Sequence, residues 1–128
     1  MSAGGAAYSI LTAHAGTAAL VQKRVYPVAI PQGEKLPAVV FAQIDIKPTH
    51  AGGADGTLEG AHLQVTPWAE SYAGAHALAI QIRAALKDYK GTADETAIQR
   101  IFIKKERDTY DPETKSFGVV QEYMVWHT

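Results

Sequence analysis

Apolar residues recur at two different spacings along this chain, and the order in which the spacings alternate limits the fold more than any other feature. From Tyr72 through Ala75, Ala79, Ile82 and Leu86 to Tyr89 they return at steps of three and four. That repeat gathers side chains on one side of an α-helix. On either side of it they alternate in steps of two, as on a strand. Ala38 to Lys47 sets Val40, Ala42, Ile44 and Ile46 against Val39, Phe41, Gln43 and Asp45, and Leu58 to Val65 sets Ala61, Leu63 and Val65 against His62 and Gln64. Two more strands are expected from Ala97 to Arg107 and from Phe117 to His127, joined as a hairpin through a polar turn from Asp108 to Ser116. One long helix among hairpin-forming strands is an α+β arrangement.

The punctuation agrees. Ala6 to Leu11 begins a short alanine-rich helix with Ala7, Ile10 and Leu11 on one face, Gly16 interrupts it, and Thr17 to Gln22 reads as another helical turn. Val25 to Val28 reads as a short strand closed by Pro27 and Pro31. Ser71 is the expected N-cap of the long helix, with Thr66 before Pro67 as a competing start, and Lys87, Lys90 and Gly91 supply its stop. The stretch from Pro48 to Thr57 holds Gly52, Gly53 and Gly56 and no large apolar residue, so it reads as a mobile loop between two antiparallel strands. The expected fold is an antiparallel sheet of about four to five strands, with one long helix packed across one face and a short N-terminal helix. All of residues 1–128 are expected to form one domain.

Composition removes several classes of function. Twelve basic and thirteen acidic side chains nearly cancel, which predicts no general attraction to nucleic acid or to anionic membranes. No cysteine is present, so disulfides, thiolate metal ligands and a thiol nucleophile are excluded. The start of the chain lacks a basic stretch followed by an apolar run, and no segment approaches a membrane span.

Residues capable of chemistry are scattered. The five histidines, His14, His50, His62, His76 and His127, have no partner at the spacing of a zinc-binding helix. His76, beside the apolar stripe, reads as a partly buried, hydrogen-bonded side chain, and His62 as a surface or interface residue. No serine lies in a Gly-x-Ser-x-Gly elbow. The run Gly52-Gly53-Ala54-Asp55-Gly56 lacks the Gly-Lys-Ser/Thr of a phosphate loop. Glu106, Asp108, Asp111 and Glu113 cluster on a turn, where solvated acids are ordinary. Lys104, Lys105 and Arg107 end a strand, where such a run discourages strand addition or meets a partner. No catalytic residue, cofactor or metal is expected. Candidate contacts with partners or other subunits are His50, Gly52, Gly53 and Asp55 in the loop, Lys104, Lys105 and Arg107 on the strand, and Tyr110 and Trp126 on the hairpin.

Five segments, in order, carry a resemblance. They are Arg24-Val25-Tyr26-Pro27, Ile30-Pro31-Gln32-Gly33, Leu36-Pro37-Ala38-Val39-Val40-Phe41, Leu63-Gln64-Val65-Thr66-Pro67-Trp68-Ala69, and the helix from Ser71-Tyr72-Ala73 to Ile82-Arg83-Ala84-Ala85-Leu86. Together they resemble the tail completion, or tail terminator, family of long-tailed phages and prophages. The likeness covers residues 6–90 closely and the last two strands in pattern. Pro67 departs from it, and a proline there is expected to end the strand or mark an edge. The resemblance implies a non-enzymatic virion protein at the head–tail junction that forms a ring, of six subunits in the family. Its partners would be its own copies, the tail-tube protein and the head–tail connector, with no membrane and no sequence-specific nucleic acid. A head completion connector or minor tail protein is the neighbouring alternative, and a small α+β enzyme or ligand-binding domain the remote one.

Overall fold

The computed structural model describes residues 3–48 and 59–127, with side chains over 3–44 and 59–127. Three helices, α1 (Ala3–Ala13), α2 (Ala15–Val21) and α3 (Tyr72–Leu86), accompany six strands. These are β1 (Val25–Pro27), β2 (Ala38–Pro48), β3 (Glu59–Ala69), β4 (Gly91–Ala93), β5 (Thr96–Asp111) and β6 (Ser116–His127). They form one curled sheet in the order β1-β2-β3-β6-β5-β4. The fold is α+β as expected, but the sheet has six strands and is mixed, because β1 runs parallel to β2 while every other pair is antiparallel. The loop expected to be mobile lies outside the described residues, apart from Pro48 at the end of β2; the two strands it joins do pair antiparallel, from Ala38↔Trp68 to Pro48↔Glu59.

All three helices cover the same face. Ala6, Ala7, Ile10 and Leu11 of α1, Val21 of α2, and Leu78, Ile82, Ala85 and Leu86 of α3 share one core with Val39, Phe41, Leu63, Val65, Ile101, Tyr123 and Val125 from the sheet. The N-terminal helical region is two helices, and their break falls at His14, not Gly16. The His14 ring accepts the Thr17 N–H at 3.2 Å and so caps α2. Gly16 lies inside α2, where the Gln81 side chain of α3 reaches over it: a Cβ would stand 2.0 Å from Gln81 Oε1.

Ser71 caps α3, its Oγ accepting the Gly74 N–H at 3.0 Å, which settles the competition with Thr66. The buried face of α3 is Ala75, Leu78, Ala79, Ile82, Ala85 and Leu86. Tyr72 leaves the expected stripe; it is 54% exposed because its hydroxyl reaches sideways to Asp108, at 3.1 Å. Helix α3 stops at Leu86, short of Tyr89, where Asp88 turns to φ +59 and its N–H bonds to the Ile101 carbonyl at 2.9 Å.

Pro67 neither ends its strand nor lies on an edge. It sits within β3 between β2 and β6, and the β3–β6 ladder passes from Val65↔Gln121 to Trp68↔Gly118 without pairing residues 66 and 67. The missing N–H therefore falls in a gap of the ladder. The closing hairpin is tighter than expected, since β5 and β6 pair out to Asp111↔Ser116. Beneath α3, buried Gln121 donates to the Ala79 carbonyl (3.1 Å) and to Glu106 (2.9 Å), and it accepts the Tyr123 hydroxyl (3.0 Å). Burial pushes the Tyr123 phenol well above its ordinary 10.0.

Candidate assembly surfaces

Alternation places half of each strand's side chains on the face no helix covers. On β6 that face carries Val120, Glu122, Met124 and Trp126, and on β3 it carries His62, Gln64 and Trp68. Val120 and Met124 are buried even here, so β6 is enclosed on both faces. Each tryptophan lies over a glycine of the neighbouring strand. Trp126 pairs with Gly60, where a Cβ would be 2.8 Å from its ring, and Trp68 covers Gly118, where a Cβ would be 2.9 Å away. At the centre, His62 Nε2 is 2.7 Å from Glu122 Oε1, and Lys105 Nζ is 3.5 Å from Glu122 Oε2.

A groove of about 460 Å³ opens beside Trp68, bordered by Val28, Ile30, Pro31, Leu36 and Val40. Three of the segments that carry the family resemblance thus meet at one place, those holding Ile30, Leu36 and Trp68. Arg24 holds them there, donating from Nε to the Pro37 carbonyl (3.0 Å) and from a terminal nitrogen to the Leu20 carbonyl (3.3 Å). Val28 stands at the rim, 77% exposed, with φ +69, while its N–H extends the ladder to the Phe41 carbonyl at 2.8 Å. A β-branched residue in the left-handed region is strained.

The third surface is the outer edge of β5. Short β4 pairs only with Thr96–Ile98. Among the described residues, the Asp88–Ile101 bond is the last backbone contact on that side, so the strand runs unpartnered from Phe102 to Asp111. Helix α3 looks onto this edge through a row at helical spacing, Tyr72, His76, Ile80 and Arg83. His76 bonds Asp108 at 2.7 Å and Arg83 bonds Glu106 at 2.7 Å, while Ile80 is left 65% exposed.

The candidate contact residues separate accordingly. His50, Gly52, Gly53 and Asp55 lie outside the described residues. Lys104, Lys105, Arg107 and Tyr110 are exposed along β5, with Lys104 at a bulge between Ile103 and Lys105. Trp126 is partly buried, its ring lying over Gly60. Ile80 lies off the apolar stripe of the long helix, a signal that could have marked it as exposed, whereas nothing in the short strand around Val28 does so. No helix among the described residues is long and apolar enough to cross a membrane.

A family model described as tail completion protein gp17 matches residues 5–128. Among solved structures, the chain is similar to one from the virion of a native gene transfer agent particle, with a TM-score of 0.75 at 17% identity. That match covers 98% of this chain and 93% of the other. No curated protein matches the chain.

Proposed function

This chain belongs to the tail completion protein gp17 family, and from that membership we propose that it closes the end of a phage tail as a ring and joins it to the head. Its class is that of a structural phage tail protein, and its place is the virion tail. The ring, the capping of the tube and the contact with the head connector make up the proposed role. The match over residues 5–128 carries it, because it spans the sheet, the long helix and the closing hairpin together.

The surfaces suit such a role. A ring that closes head to tail needs two unlike surfaces on each subunit. The sheet ends unlike, in the three-residue parallel strand β1 at one side and the three-residue antiparallel strand β4 at the other. The groove beside Trp68 and the uncovered face give further surfaces for the tube and the connector. The polar clusters are accounted for by internal bonds, Glu106 and Asp108 by α3, and His62 and Glu122 by each other. None is needed for catalysis, and the proposed role uses none.

Negative-stain microscopy and light scattering on the purified protein, alone and with tail tubes, test the reading. Closed rings, and tubes capped at one end, are the expected result. A strict monomer under both conditions would overturn it.

A further inference from the structure

The open edge of β5 has a chemistry of its own. Its carboxylates are engaged on the helix side, Glu106 by Arg83 and Asp108 by His76 and Tyr72. Of its three cations only Lys105 is paired, with Glu122. Lys104 and Arg107 have no charged partner among the described residues, and Lys105, only 3.5 Å from Glu122, keeps 66% of its side chain in solvent. Lys105 and Arg107 pair with Glu122 and Val120, which puts them on the uncovered face of the sheet. The helix side of the same edge presents Ile80 at 65%, Tyr72 at 54% and Tyr110 at 48% exposure.

Lysines and bulges on an edge ordinarily keep other strands away. That explains the cations and the irregularities at Gln99 and Lys104, but not Ile80, left bare on the same strip beside Tyr72, which leans on His76, and Tyr110, which leans on Phe117. A second copy of β5 is a poor occupant, because it would set Lys104, Lys105 and Arg107 near the same cations. We propose that the outer edge of β5, from Phe102 to Asp111, is a docking site for an extended acidic segment of a partner protein, which adds to the sheet as a further strand. Main-chain hydrogen bonds hold such a strand, and alternate side chains select it. On the open face its carboxylates meet Lys105 and Arg107. On the helix side apolar residues cover Ile80, Tyr72 and Tyr110, where Glu106 and Asp108 disfavour acids. This inference does not depend on the ring.

Synthetic peptides of about ten residues, the length of the open edge, test it by fluorescence anisotropy. One alternates glutamate with valine, a second has the same sequence with alternate backbone nitrogens methylated, and a third replaces glutamate by lysine. The glutamate peptide is expected to bind and to slow amide exchange within residues 102–111. The other two should bind at least about tenfold more weakly, a difference of about 1.4 kcal/mol. The single variant Arg107→Glu, which faces Val120 and leaves the Lys105–Glu122 pair in place, should weaken the glutamate peptide and strengthen the lysine one, with unchanged melting. Equal binding of the methylated peptide would mean ionic attraction without strand addition and would overturn the proposal. So would failure of the glutamate peptide to bind, or self-association through β5 that the peptide does not compete away.

Discussion

Val28 combines an exposed side chain with a backbone conformation that suits glycine. Strain of this kind costs on the order of 1–3 kcal/mol, so Val28→Gly is expected to raise stability by about 1 kcal/mol in urea denaturation. An unchanged or lower midpoint would show that the site is not strained. Gly118 behaves oppositely, since Trp68 and Thr109 stand within 3.0 Å of a Cβ there. Gly118→Ala should cost about 1–3 kcal/mol through overpacking, read from the same curves. Tyr123 governs a pH dependence. Its phenol is raised, by burial first, above the unfolded value of 10.0. The folded form therefore holds its proton more tightly, and this share of stability is complete below 10.0 and lost as the pH rises from there toward the folded value. Thermal melts should fall steeply in alkali, and Tyr123→Phe should flatten that fall. At neutral pH the same change removes the bond to Gln121, at about 0.5–1.5 kcal/mol.

Among the elements, those with a strong local period were legible in the sequence. The α3 stripe, its Ser71 cap, and strands β2, β3, β5 and β6 all follow from spacing and punctuation. Ile82→Ala should cost about 2–5 kcal/mol, because the side chain is fully buried between α3 and the sheet. A thermal melt shifted by less than a degree or two would contradict that placement. Ser71→Ala should cost about 1 kcal/mol through loss of the cap. What the sequence concealed were elements whose partners are tertiary. β4 is three residues long and turns into β5 through Asp94 and Glu95, both at positive φ without glycine or asparagine to announce it. The parallel pairing of β1 depends on Arg24 binding the distant Pro37 carbonyl. Pro67 looked like a stop because its N–H is missing, and only the gap in the β3–β6 ladder makes that harmless. Of the candidate contacts, the basic run on β5 was visible as charge, but its open edge follows from how short β4 is.

At the scale of the whole molecule the sheet is two local halves, β1-β2-β3 and β6-β5-β4, that meet along one seam between β3 and β6. Since β2 and β3 pair along their whole lengths, removing Gly52–Gly56 should leave the melting temperature nearly unchanged, loop length entering stability only weakly. Infectious-particle yield should drop if that segment serves the proposed contacts. Unfolding on deletion would place the segment in the core instead. The seam itself presents a problem of recognition during folding. The seam pairs residues far apart in the sequence, and such pairing carries a loop-closure cost. A slip of one residue would turn apolar side chains outward and be rejected. A slip of two keeps every face correct, and the alternation of polar and apolar residues cannot detect it. The reciprocal tryptophans can: such a slip would bring Trp126 opposite His62 and Trp68 opposite Val120, in place of the two glycines they now cover. Two indoles at opposite ends of one seam thus weigh against that slip and favour the alignment in which each covers a glycine.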